Sequence, residues 1–321
     1  SGTSGFWLLT SDFFSTMRLG IDRGGTKIAA VVVDDDGAVR WEAREPTPRE
    51  DYDGTIRALV DLVSHGEAAV GARCSVGVGT PGAISPATGL IKNANSTWLN
   101  GRPFKADVER ALGREVRMAN DANCLAVSEA TDGAAAGAAI VFGVILGTGT
   151  GGGWVIDGRV VTGANAVAGE WGHNMLPWPD ADERPGPACY CGQTGCIETF
   201  LSGPGLAADY RRRGGDQTTS DEIARRAHSG EPLAAHAMRI WLRRLAKSLA
   251  SVINLMDPDV IVVGGGLSRI DAIYREVPRL WDAWVFSDDV ATRIVPAAYG
   301  DASGVRGAAW LWGGAPGPRG A

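Results

Sequence analysis

Three cysteines and one histidine have the residue types and spacing of a metal site. Cys189, Cys191 and Cys196 follow one another as Cys-x-Cys-x4-Cys, and His173 lies upstream of them. Three thiolates and an imidazole form a closed ligand set, which is typical of structural zinc. The alternatives are cysteines that fill the core or pair in disulfides. Disulfides fit poorly, because five cysteines is an odd number and we expect a cytosolic chain without a signal segment. We therefore predict zinc.

Two glutamates flank this cysteine–histidine cluster. Glu170 lies just before the histidine and Glu198 just after the last cysteine. A metal that closes the cluster would bring both carboxylates, which belong to different segments, close together. Such a pair of acceptors suits a ligand that carries several hydroxyl groups.

A glycine turn near the start of the chain has the composition of a phosphate site. Asp22 ends a predicted strand, and Gly24, Gly25, Thr26 and Lys27 form the turn before the next strand. Glycines let backbone N–H groups approach an anion, and the threonine adds a hydroxyl donor. The aspartate is placed to hold Mg2+ through water.

A second turn repeats this design between predicted strands at 139–146 and 154–156. Its residues are Gly147, Thr148, Gly149, Thr150 and the three glycines that follow. Two such turns are able to grip a polyphosphate from opposite sides of a cleft, as expected of a duplicated architecture. Each turn alone also has a simpler interpretation as a sharp chain reversal.

Two further glycine-rich segments follow apolar strands. Gly265 and Gly266 come after the strand at 260–263, where either a nucleoside or a simple strand-to-helix connection fits. The pattern Gly-x-Gly-x-x-Gly at 77–82 matches the dinucleotide fingerprint. No helix pattern follows it and no acidic residue stands at the ribose-binding offset, so we reject a dinucleotide fold.

Polar side chains between the two phosphate turns are candidates for chemistry. Asp121 follows Asn120 at the junction of a strand-like segment and a helical one, where the ordinary interpretation is a helix cap. Phosphoryl transfer needs a carboxylate that orients and deprotonates the attacking hydroxyl, and we predict that role for Asp121. Asn95 lies in a loop whose amides suit vicinal hydroxyls, although a plain polar loop also fits.

Length and composition bound the answer. The chain has 321 residues, 45% of them hydrophobic, and a net charge of −6, which predicts two globular domains. No apolar run is long enough for a membrane span, and the acidic balance does not favour nucleic acid. We expect a cytoplasmic protein, with residues 1–16 as a tag or an upstream extension.

Five motifs, in this order along the chain, resemble the ROK (repressor, open reading frame, kinase) family of sugar kinases, in the actin, heat-shock ATPase and hexokinase superfamily. They are Asp-x-Gly-Gly-Thr-Lys at 22–27, Asn-Asp-Ala-Asn at 120–123, Gly-Thr-Gly at 147–149, Gly-Glu-x-Gly-His at 169–173 and Cys-x-Cys-Gly-x-x-Gly-Cys-x-Glu at 189–198. The resemblance covers 17–312. Arg23 departs from the apolar residue usual at its position, and we expect it to place a cation beside the phosphate turn.

The resemblance implies a two-domain α/β fold of ribonuclease-H-like type with a cleft between the domains. The small domain would span 17–120, with a C-terminal helix at 303–312 returning to it. The large domain would span 121–302 and carry the zinc cluster.

The resemblance also implies roles for particular residues. Asp121 would be the general base, and Mg-ATP would lie on the glycine turns, with zinc in the cluster. The residues implied in sugar contact are Asn95, Asn120, Asp121, Glu170, His173 and Glu198. The relatives imply a homodimer.

Branch similarity implies fructose as the substrate, phosphorylated to fructose 6-phosphate, with mannose possible. We expect the bulk of Trp98 to leave no room for an acetyl group. The alternatives are a kinase for N-acetylhexosamines or glucose, a sugar-responsive transcription regulator, which would need a helix-turn-helix, and an ATPase chaperone, which has no use for the cluster.

Overall fold

The computed structural model describes residues 17–94 and 96–313. This part of the chain contains twelve strands: β1 Arg18–Arg23, β2 Lys27–Val33, β3 Val39–Pro46, β4 Ser75–Gly79, β5 Ala83–Ile84, β6 Ile91–Lys92, β7 Val116–Ala119, β8 Ile140–Leu146, β9 Thr150–Ile156, β10 Arg159–Val160, β11 Val260–Gly264 and β12 Arg293–Pro296. It also contains nine α-helices: α1 Tyr52–Val70, α2 Phe104–Leu112, α3 Asp121–Thr131, α4 Ile197–Leu201, α5 Gly203–Arg212, α6 Ser220–His228, α7 Pro232–Met256, α8 Ala272–Trp281 and α9 Ser303–Trp310. None of these helices has the length and apolarity that a membrane span needs.

Two five-stranded sheets share one topology, as the repeated glycine turns predict. The first has the order β3-β2-β1-β4-β7 and the second the order β10-β9-β8-β11-β12. In each sheet the first three strands pair antiparallel and the last three pair parallel. A glycine turn therefore lies at the same place in both sheets, between the central strand and its antiparallel neighbour.

Each sheet has a core of its own. The first packs against α1 and α2 around residues such as Leu59 and Phe104, which are fully buried. The second packs against the long amphipathic α7, whose Trp241 and Leu245 are buried.

A third core lies between the sheets and is built on α3 and α9. It joins Val31 of the first sheet, Val141 of the second and Val305 of α9. α9 packs against the first sheet, α3 packs against the second, and the two helices pack against each other. The predicted division at residue 120 stays a prediction.

Glycines let α9 approach its neighbours closely. A Cβ atom on Gly77 of β4 would lie 1.8 Å from the carbonyl oxygen of Ala308. On the other side, a Cβ atom on Gly307 would lie 1.7 Å from the carbonyl oxygen of Cys124 in α3. The Gly77 contact explains one glycine of the pattern at 77–82 by packing, and β4 leads into the β5–β6 hairpin rather than a helix.

The second glycine turn is shorter than predicted, because β9 begins at Thr150 and takes in the next three glycines. A Cβ atom on Gly152 would lie 2.6 Å from the ring of Phe142, and one on Gly153 would lie 2.7 Å from the carbonyl oxygen of Ala122. These glycines therefore serve strand packing, and only 147–149 form the turn.

We predict that Gly307→Ala lowers the free energy of unfolding by about 3 kcal/mol, since the added methyl group meets backbone that cannot yield without separating α3 from α9. Chemical denaturation without ligands measures this. Gly266→Ala is the control, because its Cβ atom would meet nothing within 4 Å. Equal stability of the two variants would show that the helix contact is not tight.

Candidate active site

Four carboxylates from separate elements gather where the two sheets face each other. They belong to Asp22 at the end of β1, Asp121 at the start of α3, Glu170 before a 3₁₀ turn, and Glu198 in α4. The charge of Asp121 acts on both Asp22 and Glu170, and that of Glu198 acts on Glu170. The four groups thus form one continuous set of neighbours between the first sheet and the second.

Asp22 is the member on the first sheet. Burial, and then the charge of Asp121, raise its pKa to about 6, although Lys27 and Arg23 oppose the shift. A cation bound beside this carboxylate would stabilise its ionised form and lower its pKa towards the ordinary value.

Asp121 is the first residue of α3, and Asn120 rather than Asp121 caps that helix. The side-chain oxygen of Asn120 accepts the N–H of Asn123 at 2.7 Å, which explains why α3 begins earlier than the helical pattern alone indicates. The Asp121 side chain is therefore free to face the cleft, where it is open to solvent. The protein atoms around it raise its pKa despite the N–H of Ala122 that it accepts.

Glu170 and His173 are held by one short turn. The N–H of His173 donates to the carbonyl oxygen of Glu170. This hydrogen bond closes the turn and fixes the two residues relative to each other. Burial raises the pKa of Glu170; the His173 charge opposes the rise, and the charges of Asp121 and Glu198 add to it.

Glu198 connects this group to the second glycine turn. Its Oε2 atom accepts the N–H of Thr150 at 2.9 Å, directly after Gly149. A carboxylate predicted for hydroxyl groups therefore also fixes the geometry of a turn predicted for phosphate.

The cysteine–histidine cluster has the geometry of a metal site. One ligand atom from each of His173, Cys189, Cys191 and Cys196 lies within 4.8 Å of the others. The Cys189 sulfur is 3.6 Å from His173 Nδ1, and the Cys191 and Cys196 sulfurs are 3.6 Å apart. Tetrahedral zinc with Zn–S bonds of about 2.3 Å needs edges of about 3.8 Å, whereas a disulfide needs about 2.05 Å. The donor set fits zinc, and no described cysteine is in a disulfide.

Some glycines of the three turns border open space. A Cβ atom would meet nothing within 4 Å on Gly25 or Gly266, and on Gly147 the nearest atom would be the backbone nitrogen of Gly266 at 3.9 Å. The second and third turns are therefore adjacent. The packing of the protein does not require glycine at these positions, which leaves room for a ligand to approach the backbone.

Other glycines of the same turns are needed for the fold. Gly265 has a positive φ of 83°, and its Cβ atom would lie 2.4 Å from the carbonyl oxygen of Leu146. A Cβ atom on Gly24 would lie 3.0 Å from the carbonyl oxygen of Lys27. Thr26 and Thr148, predicted as further ATP contacts, lie in the first and second turns.

A cavity that the sequence did not reveal adjoins the carboxylates. Its volume is about 80 Å³. The residues that line it are Thr80, Gly82, Ala83, Ile84, Met118, Ala119, Asn120, Asn123, Thr162, Ala166, Ala168 and Glu170. The available signal was the segment at 77–82, which follows a parallel strand where such pockets form.

The side chain of Arg23 does not point to the phosphate turn, contrary to the prediction. Neighbouring residues of a strand point to opposite faces, so Arg23 points away from the side of Asp22. Its guanidinium is fully buried, donates to Ser96 Oγ at 2.6 Å and lies 5.0 Å from the Trp98 ring. Trp98 packs against this cation and the first core, and it does not line the cavity. Asn95 lies outside the described residues.

Comparisons with known proteins agree with this geometry. The sequence model of the ROK family matches residues 18–315. An N-acetyl-D-glucosamine kinase from Pectobacterium atrosepticum is 41% identical over 299 residues, which are 92% of this chain and 98% of that protein.

Two solved structures have the same fold over nearly the whole chain. A ROK hexokinase from Thermus thermophilus is 31% identical with a TM-score of 0.82, over 92% of this chain and 97% of that one. A ROK glucokinase from Streptomyces griseus, solved with glucose and AMPPNP, is 28% identical with a TM-score of 0.73, over 92% of this chain and 98% of that one. The predicted two-domain α/β fold of the hexokinase superfamily is confirmed. The chain belongs to the ROK family.

Proposed function

We propose that this protein is an ATP-dependent kinase that phosphorylates N-acetylglucosamine on its hydroxymethyl oxygen. Sugar phosphorylation is the activity in which the family motifs and the named relatives agree. The observation that carries the proposal is the Asp121 carboxylate, which faces the cleft beside the glutamates and the cavity. The acetylated sugar follows from the relative at 41% identity.

The cavity supports an acetylated sugar. It adjoins Glu170 and Asn120, which we assign to the sugar, and much of its wall consists of small residues such as Gly82, Ala83 and Ala168. An acetamido group needs such a recess next to the ring. The sequence argued against an acetyl group because of the bulk of Trp98, but that side chain packs against Arg23 and the first core and does not line the cavity.

This proposal replaces fructose, which the relatives do not support. N-acetylhexosamine was the alternative prediction, and a glucose kinase remains the second candidate because of the glucose-bound relative. A homodimer and a cytoplasmic location stay predictions.

Asp121 is assigned as the general base. The protein atoms around it raise its pKa, which makes the carboxylate a better proton acceptor than an isolated aspartate. The carboxylates of Glu170 and Glu198 and the imidazole of His173 would hold the sugar hydroxyls. A base that is fixed at a helix start while the sugar is held from the other side limits the motion of the attacking oxygen.

The glycine turns are assigned to the nucleotide. The backbone borders open space at Gly25 and Gly147, and Thr26, Thr148 and Lys27 would add donors. The adenosine would lie against the backbone at Gly266. When bound near Asp22, Mg2+ would neutralise charge on the phosphates.

Zinc in the cysteine–histidine cluster would have a structural role. A closed site of four ligands has no open position for a substrate. Zinc on Nδ1 of His173 would fix the ring so that Nε2 faces the carboxylates, and metal binding and sugar binding would thus share one residue.

A substrate panel tests the proposal directly. We predict that kcat/KM for N-acetylglucosamine exceeds that for fructose at least about tenfold, because an unfilled cavity loses binding that the acetamido group supplies. Coupled ADP release with N-acetylglucosamine, N-acetylmannosamine, glucose, mannose and fructose measures this. Ala83→Leu, which fills the cavity, should penalise N-acetylglucosamine more than glucose. Fructose as the best substrate would contradict the proposal.

Asp121→Asn should reduce kcat by a factor of about 100 or more and leave both KM values within about threefold, since only the proton acceptor is lost. Steady-state kinetics measure this. Asp107→Asn, which changes a carboxylate on α2 remote from the cleft, is the matched control and should retain full activity. If Asp121→Asn keeps kcat within a few-fold, another group is the base.

Elemental analysis should find about one zinc per chain. Cys191→Ser should lose the metal, melt at a lower temperature and bind sugar weakly, because the cluster supplies folding free energy and holds His173. Cys74→Ser, which lies outside the cluster, should keep its zinc. Full activity and an unchanged melting temperature in the metal-free protein would refute the assignment.

A further inference from the structure

The hydroxyl group of Tyr190 lies against His173, which we assign to the sugar, although Tyr190 stands on an exposed turn. The residue is 82% exposed. Its hydroxyl oxygen nevertheless lies 3.0 Å from His173 Nε2, and the two rings meet edge to face at 5.2 Å. The side chain therefore folds back over the histidine instead of extending into solvent.

The backbone of Tyr190 is fixed on both sides. Its neighbours Cys189 and Cys191 both belong to the cluster. The N–H of Cys189 donates to the carbonyl oxygen of Gln193 at 2.8 Å, and the N–H of Gly192 donates to the carbonyl oxygen of Cys189 at 3.0 Å. A rotation of the side chain is enough to break the contact with His173, and exposed side chains rotate on a fast timescale.

The hydroxyl group has the same bonding capacity there as a sugar hydroxyl. His173 Nδ1 faces the Cys189 sulfur, so with a metal on that side Nε2 carries the hydrogen and donates to Tyr190. The O–H of Tyr190 remains a donor.

We propose that Tyr190 is a place-holder: its hydroxyl group occupies the position on His173 that a sugar hydroxyl takes, and the sugar must displace it. This inference rests on the proposed function. Tyr190 thus closes the site in the absence of sugar and lowers the apparent affinity by the fraction of molecules in which it is bound to His173.

Tyr190→Phe tests the inference, because it removes the competing hydroxyl and keeps the ring. The dissociation constant for N-acetylglucosamine, measured by calorimetry without ATP, should fall about three- to tenfold, the value of one hydrogen bond. The KM for ATP, kcat and the zinc content should not change. Tyr52→Phe, which removes a hydroxyl that donates to Asp107 far from the cleft, is the matched control and should bind sugar like the wild type.

The affinities for monodeoxy sugars distinguish a competing hydroxyl group from a purely structural role of Tyr190. For the analogue that lacks the displacing hydroxyl, wild type and Tyr190→Phe should bind equally, because nothing then competes for His173. An affinity that is unchanged or weaker in Tyr190→Phe for N-acetylglucosamine itself overturns the place-holder alone. A wild type that neither binds nor phosphorylates any sugar of the panel overturns the proposed function, and the place-holder with it.

Discussion

Mutual repulsion among four carboxylates is the constraint on which the rest of the cleft depends. Asp22, Asp121, Glu170 and Glu198 would separate if they stood on flexible loops. Each is instead attached to a strand end, a helix start or a short turn, and Glu198 also accepts a backbone N–H of β9. The fold thus keeps four carboxylates close together although their like charges repel one another. A sugar with several hydroxyl donors and a nucleotide with Mg2+ both relieve it.

The packing of α9 against α3 and the first sheet keeps this arrangement in place. Asp22 belongs to β1 and Asp121 to α3; both elements pack against α9, and glycines at the contacts bring the backbones close together. Movement of one sheet relative to the other would therefore change the separation of the two carboxylates. This geometry couples any closure of the cleft to the electrostatics of the site.

Local sequence patterns predicted the parts of the structure that depend on local chemistry. Apolar runs gave β1, β8 and β11, and the cysteine spacing gave a cluster whose ligand atoms meet within 4.8 Å. Side-chain direction was harder to predict, because it depends on which face of a strand a residue occupies. We therefore expected Arg23 beside the phosphate turn and Trp98 beside the sugar, whereas the two side chains pack against each other.

Features that depend on two distant segments could not be predicted from one sequence. The glycines at 151–153 looked like a turn because nothing local shows that α3 and the Phe142 ring pack against them. The cavity joins the hairpin after β4 to the segment before Glu170, and the contact of Tyr190 with His173 arises from the path of the turn. Substrate choice depends on such contacts, so local motifs alone do not decide between fructose and an N-acetylated sugar.

The pKa of Asp22 is the most direct test of the carboxylate site. Carboxyl-carbon NMR of the labelled protein, with Asp22→Asn to assign the signal, would follow the titration with and without Mg-ATP. We predict a pKa of about 6 in the free protein, falling towards its ordinary range when the nucleotide and its cation bind. A pKa near the ordinary value of 3.8 in the free protein, unaffected by Mg-ATP, would contradict the account.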